Sequence, residues 1–336
     1  MVRGYKIATL GSHTALQILK GAKDEGFKTI AICKEGTEEP YKSFGVADEI
    51  ILVKSFKEVP KLEKELIKRK AVLIPHGSFI AHMGIDEVMN LKVPYFGNKK
   101  ILEWESDRAM ERKWLKAAGL KLPKIFKKAS EIDRSVIVKF HGALGGKGYF
   151  IANSPRDFRR KIKGHEKDTY QIQEYIIGVP MYIHYFYSPI TDELEILGFD
   201  KRYESNVDSL GRISARDQFA LESIDPSYVV VGNVPVVLRE SLLPEAFRMG
   251  RNVVEESKKI APPGLFGPFC LETVVTPNQE FYVFEISARI VAGTNPYIQG
   301  SPYSQLKYKE PMSTGRRIAR EIKTAIQKKK TNLIFH

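Results

Sequence analysis

Residues 136–150 read VIVKFHGALGGKGYF: four glycines and two lysines within ten residues, set between two runs of strand-forming side chains. Glycine weakens a hairpin unless something must approach the backbone closely or the loop must fold over a ligand. Lysine beside such a loop points to an anionic ligand. The loop fails the Walker A pattern, because Gly148 follows Lys147 where a serine or threonine must meet magnesium, and a strand follows in place of a helix. A glycine-rich loop between antiparallel strands is instead how protein kinases cover nucleotide phosphates. In that layout Lys139 reaches the phosphates from the first strand, and Gly145, Gly146, Lys147 and Gly148 meet them from the loop.

A second group lies in FCLETVVTPNQEFYVFEISAR, residues 269–289. The TPNQ turn joins two strands, so Glu272 and Glu285 are expected side by side across an antiparallel pair. Like charges so placed repel, and a cation is the natural neutraliser. Magnesium binds through one or two carboxylates plus phosphate oxygens. A third group is a pair of strand ends, GSHT at 11–14 and PHGS at 75–78. His13 and Ser78 should project from the carboxyl edge of a sheet, where open α/β folds bind ligands. Amides at a helix start favour an anion, and an imidazole there can hydrogen-bond a substrate or take a proton from it. Plain helix capping is the other reading of both residues.

The elements that must carry these groups follow from periodicity. Over the first 100 residues, strands such as YKIATL, KTIAIC, ADEIILV, AVLIP and VPYFG alternate with helical patterns such as HTALQILKGAKDEG. That is an open parallel sheet covered by helices. It lacks the GxGxxG turn of a nicotinamide-binding domain. KLPKIFKKASEI then links to a region of strand pairs, from VIVKF to EFYVFEIS, interrupted by helices at 155–163 and 239–259. Short turns between adjacent strands make an antiparallel sheet, so the fold class is α/β together with α+β.

Composition limits the function classes. In 336 residues, 43% are hydrophobic, yet no apolar run approaches the roughly 20 residues of a membrane span. The start MVRGYKIATL enters a strand directly, which reads as cytoplasmic with no membrane association. Cys33 and Cys270 lie in apolar strands without zinc-like neighbours and read as buried thiols. The net charge of +13 raises nucleic acid, and MYIHYFYS (181–188) offers an aromatic strand of the RNA-binding kind. The basic residues, however, are spread over helices with interleaved acids. A phosphorylated small molecule accounts for the excess as well as RNA does, and sheet packing is the simpler use of that strand. The same aromatic strand would suit an interface between copies of the chain, which leaves a homo-oligomer open.

The order of these features resembles the ATP-grasp superfamily: a lysine strand, a glycine-rich loop, QEYIIGVP as an adenine hinge, then two glutamates with an arginine four residues after the second. Finer stretches, GSHTALQILKGAKDEGF, VPYFGN, ESDR, RYESNVD, GNVPVVLRES, GPFCLE and FEISARIVAGTN, are similar to the archaeal formate-dependent 5-formaminoimidazole-4-carboxamide ribonucleotide synthetases of purine (IMP) biosynthesis. The resemblance runs from about residue 5 to 320 and implies an N-terminal α/β unit (1–98), an ATP-grasp subdomain with loop and hinge (99–190) and a C-terminal subdomain with the metal site (191–336). It implies an ATP-dependent carbon–nitrogen ligase that joins formate to 5-aminoimidazole-4-carboxamide ribonucleotide (AICAR) through formyl phosphate, giving the formamido product (FAICAR), ADP and phosphate. ATP and Mg2+ or Mn2+ are the implied cofactors, and small molecules the partners. An ATP-grasp ligase for another acid or acceptor is the alternative.

By the same resemblance Glu174, Tyr175 and Ile176 of the hinge bind ATP, Glu272 and Glu285 hold metal, and Arg289 holds the acyl phosphate or the substrate phosphate. His13, Ser78 and Asn233 contact the acceptor. The chain departs from the pattern at Phe140, usually proline, at Leu144, often basic, and at Ser287, where ATP-grasp enzymes at large carry asparagine. Pro180 and Met181 stand where many relatives place an acid on the ribose, which leaves Glu204 as the candidate for that role.

Overall fold

The structure is a computed structural model and describes residues 4–140, 149–204, 211–220 and 230–336. Its first sheet is parallel, with β1 (Lys6–Leu10), β2 (Lys28–Lys34), β3 (Glu49–Val53) and β4 (Ala71–Leu73) in the order β3-β2-β1-β4. β1 lies between two neighbours, and Ile7, Ala8 and Leu10 are buried, as a strand covered on both faces requires. The expected strand VPYFG does not form. Tyr95 makes an isolated parallel bridge to Leu73, and Phe96 one antiparallel bridge to Phe335. Pro94 has no N–H to give, and Gly97 turns away at φ 122°.

Two antiparallel sheets follow. β5 (Ile125–Phe126), β6 (Val136–Phe140), β7 (Tyr149–Ala152) and β8 (Tyr170–Glu174) lie in the order β5-β8-β6-β7. The glycine-loop strands β6 and β7 are therefore paired as expected, whereas Gly145, Gly146, Lys147 and Gly148 lie outside the described residues, together with Leu144. The larger sheet has β9 (Val179–Ser188), β10 (Glu193–Glu204), β11 (Val230–Val236), β12 (Gly267–Val275) and β13 (Phe281–Ser287), in the order β11-β10-β9-β12-β13. β9 sits at its centre and is buried from Met181 to Ser188. The aromatic strand thus belongs to the chain's own core and offers no interface. The expected division at residue 190 would also separate β9 from β10 and β12, the strands that bond to it.

Period-two alternation gives the large sheet two unlike faces. Ile183, Tyr185, Phe199, Leu271 and Ile286 point into a core shared with Ala246, Met249 and Val253 of the helix Leu243–Ile260 and with Trp114 of the helix Arg108–Ala117. Among their neighbours along the strands, Tyr182, His184, Asp200, Glu272, Glu285 and Ser287 face the other way. One row across the sheet is Asp200, Tyr182, Glu272 and Glu285; the next is Gly198, His184, Cys270 and Ser287.

The helix Thr314–Gln327 returns to the first unit and packs on the helix Ala15–Asp24. The approach is close enough that a Cβ on Gly21 would lie 2.2 Å from Arg316 N, and one on Gly315 2.3 Å from Gln17 O. Among the described residues, no helix is long and apolar enough to cross a membrane.

Candidate active site

The polar face of the large sheet carries the carboxylate pair. Glu272 on β12 and Glu285 on β13 stand directly opposite in register. Glu272 is buried and pairs with Arg202 of β10, whose guanidinium also lies 3.9 Å from the centre of the Tyr182 ring. Glu285 opens into a cavity of about 210 Å³ that is also lined by Glu105, Arg108, Glu111 and Lys139. Glu285 remains exposed toward solvent, and the protein packed around it and then the Glu272 charge push its carboxyl upward, against the opposing pull of Arg202, Lys139 and Arg108. Glu111 is raised well above the usual range for the same two reasons, burial and the charge of Glu285, while its Oε1 accepts from Ile286 N at 2.6 Å. Lys139 comes from β6, and burial lowers its pKa.

Glu272 and Glu285, neighbouring carboxylates of which Glu272 is shared with Arg202, fit a divalent cation. Among the described residues no group of three or more His, Cys, Asp or Glu side chains could hold a metal. The two carboxylates therefore suit a cation that completes its shell with phosphate oxygens and water. Ser287, in the place of the usual asparagine, has its Oγ 3.5 Å from Glu272 Oε1.

The two strand ends meet as a cluster of imidazoles. His13 does not open the helix; it precedes it in the left-handed region at φ 56°, and the helix starts at Ala15 after Thr14. Asn295 Nδ2 donates to His13 O at 3.2 Å. The His13 ring stacks on His76 with centroids 5.5 Å apart and 7° between planes. Solvent reaches its other side. Loss of hydration and then the charges of Arg289 and Arg202 pull its pKa down to about 4, so the imidazole is neutral near pH 7. Ser78 precedes the short helix Phe79–Met83 and makes no side-chain cap bond; its N–H donates to His76 Nδ1 at 3.3 Å.

Arg289 is engaged by the protein itself. Its Nε donates to His76 O at 3.0 Å, its Nη2 to Gly77 O at 2.7 Å, and it pairs with Glu105. Arg289 thus grips the turn that carries Ser78, leaving it poorly placed to hold a free anion. The Glu174 carboxylate is similarly committed, to Arg134 Nη1 at 2.8 Å and Lys124 N at 3.0 Å. In the hinge, Tyr175 N donates to Ser135 O at 2.9 Å. Glu204 ends β10, and its side chain lies outside the described residues. Asn233, opposite Arg202 on β11, donates Nδ2 to Asp200 Oδ2 at 2.7 Å.

The structure therefore gathers His13, Ser78, Arg289, Asn233, Lys139 and the two glutamates around one sheet face, with Arg202 between the imidazole and carboxylate clusters. Sequence reasoning did not single out Arg202, Asp200, His184, Arg108 or Glu111. A signal existed for Asp200 and His184, since each is a polar residue one step from an apolar one on a buried strand.

Comparison with known proteins bears on the family and the fold. Residues 7–126 match the family model described as "Protein of unknown function (DUF1246)", and residues 158–335 match "Domain of unknown function (DUF1297)". The chain is 56% identical over 333 residues to the 5-formaminoimidazole-4-carboxamide-1-(beta)-D-ribofuranosyl 5'-monophosphate synthetase of Pyrococcus abyssi, covering 97% of this chain and 96% of that protein. The crystal structure of an IMP biosynthesis protein PurP from Thermococcus kodakaraensis superposes with a TM-score of 0.77 at 29% identity, covering 98% of this chain and all of that one. The ADP complex of N5-carboxyaminoimidazole ribonucleotide synthetase shares the fold with a TM-score of 0.70 at 14% identity, covering 96% of this chain and 78% of that one. With an ATP-grasp fold preceded by a parallel α/β unit, the chain belongs to the 5-formaminoimidazole-4-carboxamide ribonucleotide synthetase family.

Proposed function

We propose that the protein is the ATP- and formate-dependent ligase that converts AICAR to FAICAR with release of ADP and phosphate. The observation that carries this reading is 56% identity over nearly the full chain to a synthetase of that product, in a chain whose Glu285, opposite Glu272 in register, lines a cavity with Lys139. A formate oxygen attacks the γ-phosphorus of ATP and ADP leaves. The acceptor amine then bonds to the formyl carbon, the carbon–oxygen bond to phosphate breaks, and the amine's proton passes to a base.

The chain's residues divide these tasks. Lys139 and the lysine loop, Gly145 to Gly148, hold the phosphates, and a nearby positive charge favours a phosphoryl group in transfer. A divalent cation on Glu272 and Glu285, magnesium or manganese, would offset charge on that group. With the Glu174 carboxylate already paired, adenine is left to backbone groups of the hinge at Tyr175 and Ile176, and the ribose to Glu204. His13, neutral and stacked in place, is the base beside the acceptor; Ser78 and Asn233 bind it. Arg289 positions the 76–78 turn.

Omission kinetics test the reading. ADP should form only when ATP, metal, formate and AICAR are all present, apart from slow hydrolysis of formyl phosphate. Turnover with a different carboxylate or acceptor nucleotide, and none with formate and AICAR, would replace it with the alternative ligase.

A further inference from the structure

Next to the carboxylates, the sheet holds a buried polar pair whose role remains to be assigned. Asp200 and His184 are 1% and 2% exposed. Asp200 Oδ1 lies 2.7 Å from His184 Nε2, and its Oδ2 accepts from Asn233 Nδ2 at 2.7 Å. Gly293 closes over them: a Cβ there would stand 2.1 Å from Asp200 Oδ1 and 2.6 Å from His184 Nε2, so the backbone itself forms the lid. His184 Nδ1 has no partner among the described residues. A bare ring nitrogen is the cheaper group to leave unpaired, which puts the imidazole proton on Nε2, facing the carboxylate.

A carboxylate offers only acceptors, so the amide beside it must present N–H, and the amide oxygen must point away. We propose that Asp200, held by His184, is a positioning residue that fixes the Asn233 side chain with Oδ1 toward the acceptor, so that this point of the site selects a substrate N–H donor. Without the carboxylate, the amide could rotate and offer N–H or oxygen with equal ease. With it, a nucleotide presenting an amine or a carboxamide N–H is bound, and one presenting a carboxylate oxygen at the same place meets a lone pair. Such a mismatch leaves buried polar groups unpaired, which is how polar sites reject near-isosteres. The inference rests on the reading of Asn233 as an acceptor contact.

A double-mutant cycle on the full-length enzyme tests it, with KM for AICAR, KM for ATP, kcat and Tm measured for Asp200→Asn, Asn233→Ala and both together. Asp200→Asn should raise the AICAR KM about tenfold, the loss of roughly one hydrogen bond, with the ATP KM unchanged. The double variant should bind AICAR no worse than Asn233→Ala, because Asp200 acts only through the amide. Multiplying losses, or an unchanged AICAR KM in Asp200→Asn, would overturn the proposal. Should Asp200→Asn fail to fold, His184 carries the test. His184→Leu removes the donor to Asp200 and should raise the AICAR KM, whereas His184→Gln, whose amide N–H reaches the place of Nε2–H, should restore it. Equal AICAR KM values for these two variants would count against the proposal, since a purely structural role moves Tm alone. Wild-type enzyme inactive with formate and AICAR would remove the proposed function and this inference together; active enzyme with multiplying losses removes only the inference.

Discussion

Glu285 and Glu272 face each other with opposite surroundings, and their substitution should separate chemistry from folding. Among the described residues Glu285 makes no ion pair as close as that of Glu272, and its carboxyl is already raised. Glu285→Gln should leave the thermal midpoint within a few degrees of wild type while ADP release falls about a hundredfold or more, as when a group that stabilises developing charge is removed. Glu272→Gln instead leaves Arg202 without its buried partner. Its loss should appear first in the melting curve, since breaking one side of a buried pair costs about 3–5 kcal/mol.

His13 makes a pH prediction of definite sign. Its folded pKa is near 4, below the ordinary 6.5. Below pH 6.5 the unfolded chain therefore binds a proton that the folded one refuses, and stability drains away as pH falls from 6.5 toward 4. The melting temperature of His13→Ala should rise relative to wild type between pH 7 and pH 5. In the proton NMR spectrum the imidazole resonance lost in His13→Ala should stay unshifted from pH 8 to 5; a midpoint near 6.5 would contradict the packing described.

The turn after β4 and the strands of the large sheet show how elements supply what single residues cannot. Gly77 leaves the space that the His13 ring fills: a Cβ there would lie 2.4 Å from His13 Nε2. Gly77→Ala should displace the imidazole while sparing the ATP subdomain, so ATP affinity is retained and AICAR-dependent turnover falls; equilibrium binding of both nucleotides distinguishes the outcomes. The carboxylate pair was legible in the sequence, because a short TPNQ turn and period-two spacing fix which residues oppose each other. The β6–β7 hairpin and the parallel sheet were legible for the same reason, local periodicity. The His184–Asp200–Asn233 chain was not, since three strands from separate parts of the chain must be ordered before these residues meet. The engagement of Arg289 was not legible for a similar reason: that Glu105 and the carbonyls of residues 76 and 77 meet its guanidinium is a fact of tertiary packing.

At the scale of the whole molecule, the two ends of the described chain are joined by charge as well as shape. Glu25, 3% exposed at the end of the first helix, meets Arg316, Arg320 and Lys323 of the helix Thr314–Gln327. Burial alone would raise its pKa, but the bonds from Arg320, Arg316 and Lys323 bring it down to about 2. A depressed carboxyl contributes stability that is complete above about 4.5 and is lost as pH falls toward 2; here it amounts to at most about 3 kcal/mol. Glu25→Gln should be less stable than wild type at pH 7 in denaturant titrations, and the gap should close as pH falls to 2.5. A constant gap would assign the effect to packing alone.

The grip between Gly21 and Gly315 also sets an order on biosynthesis. A ribosome that has released the first 130 residues has delivered the whole parallel sheet but not the helix that packs on its first helix, which is nearly two hundred residues away. Throughout that interval the nascent chain presents the groove around Gln17 and Gly21 and an unpaired Glu25. The N-terminal unit can reach its final form only when residues 314–327 emerge, so a chain halted anywhere before them is exposed to chaperones and proteases.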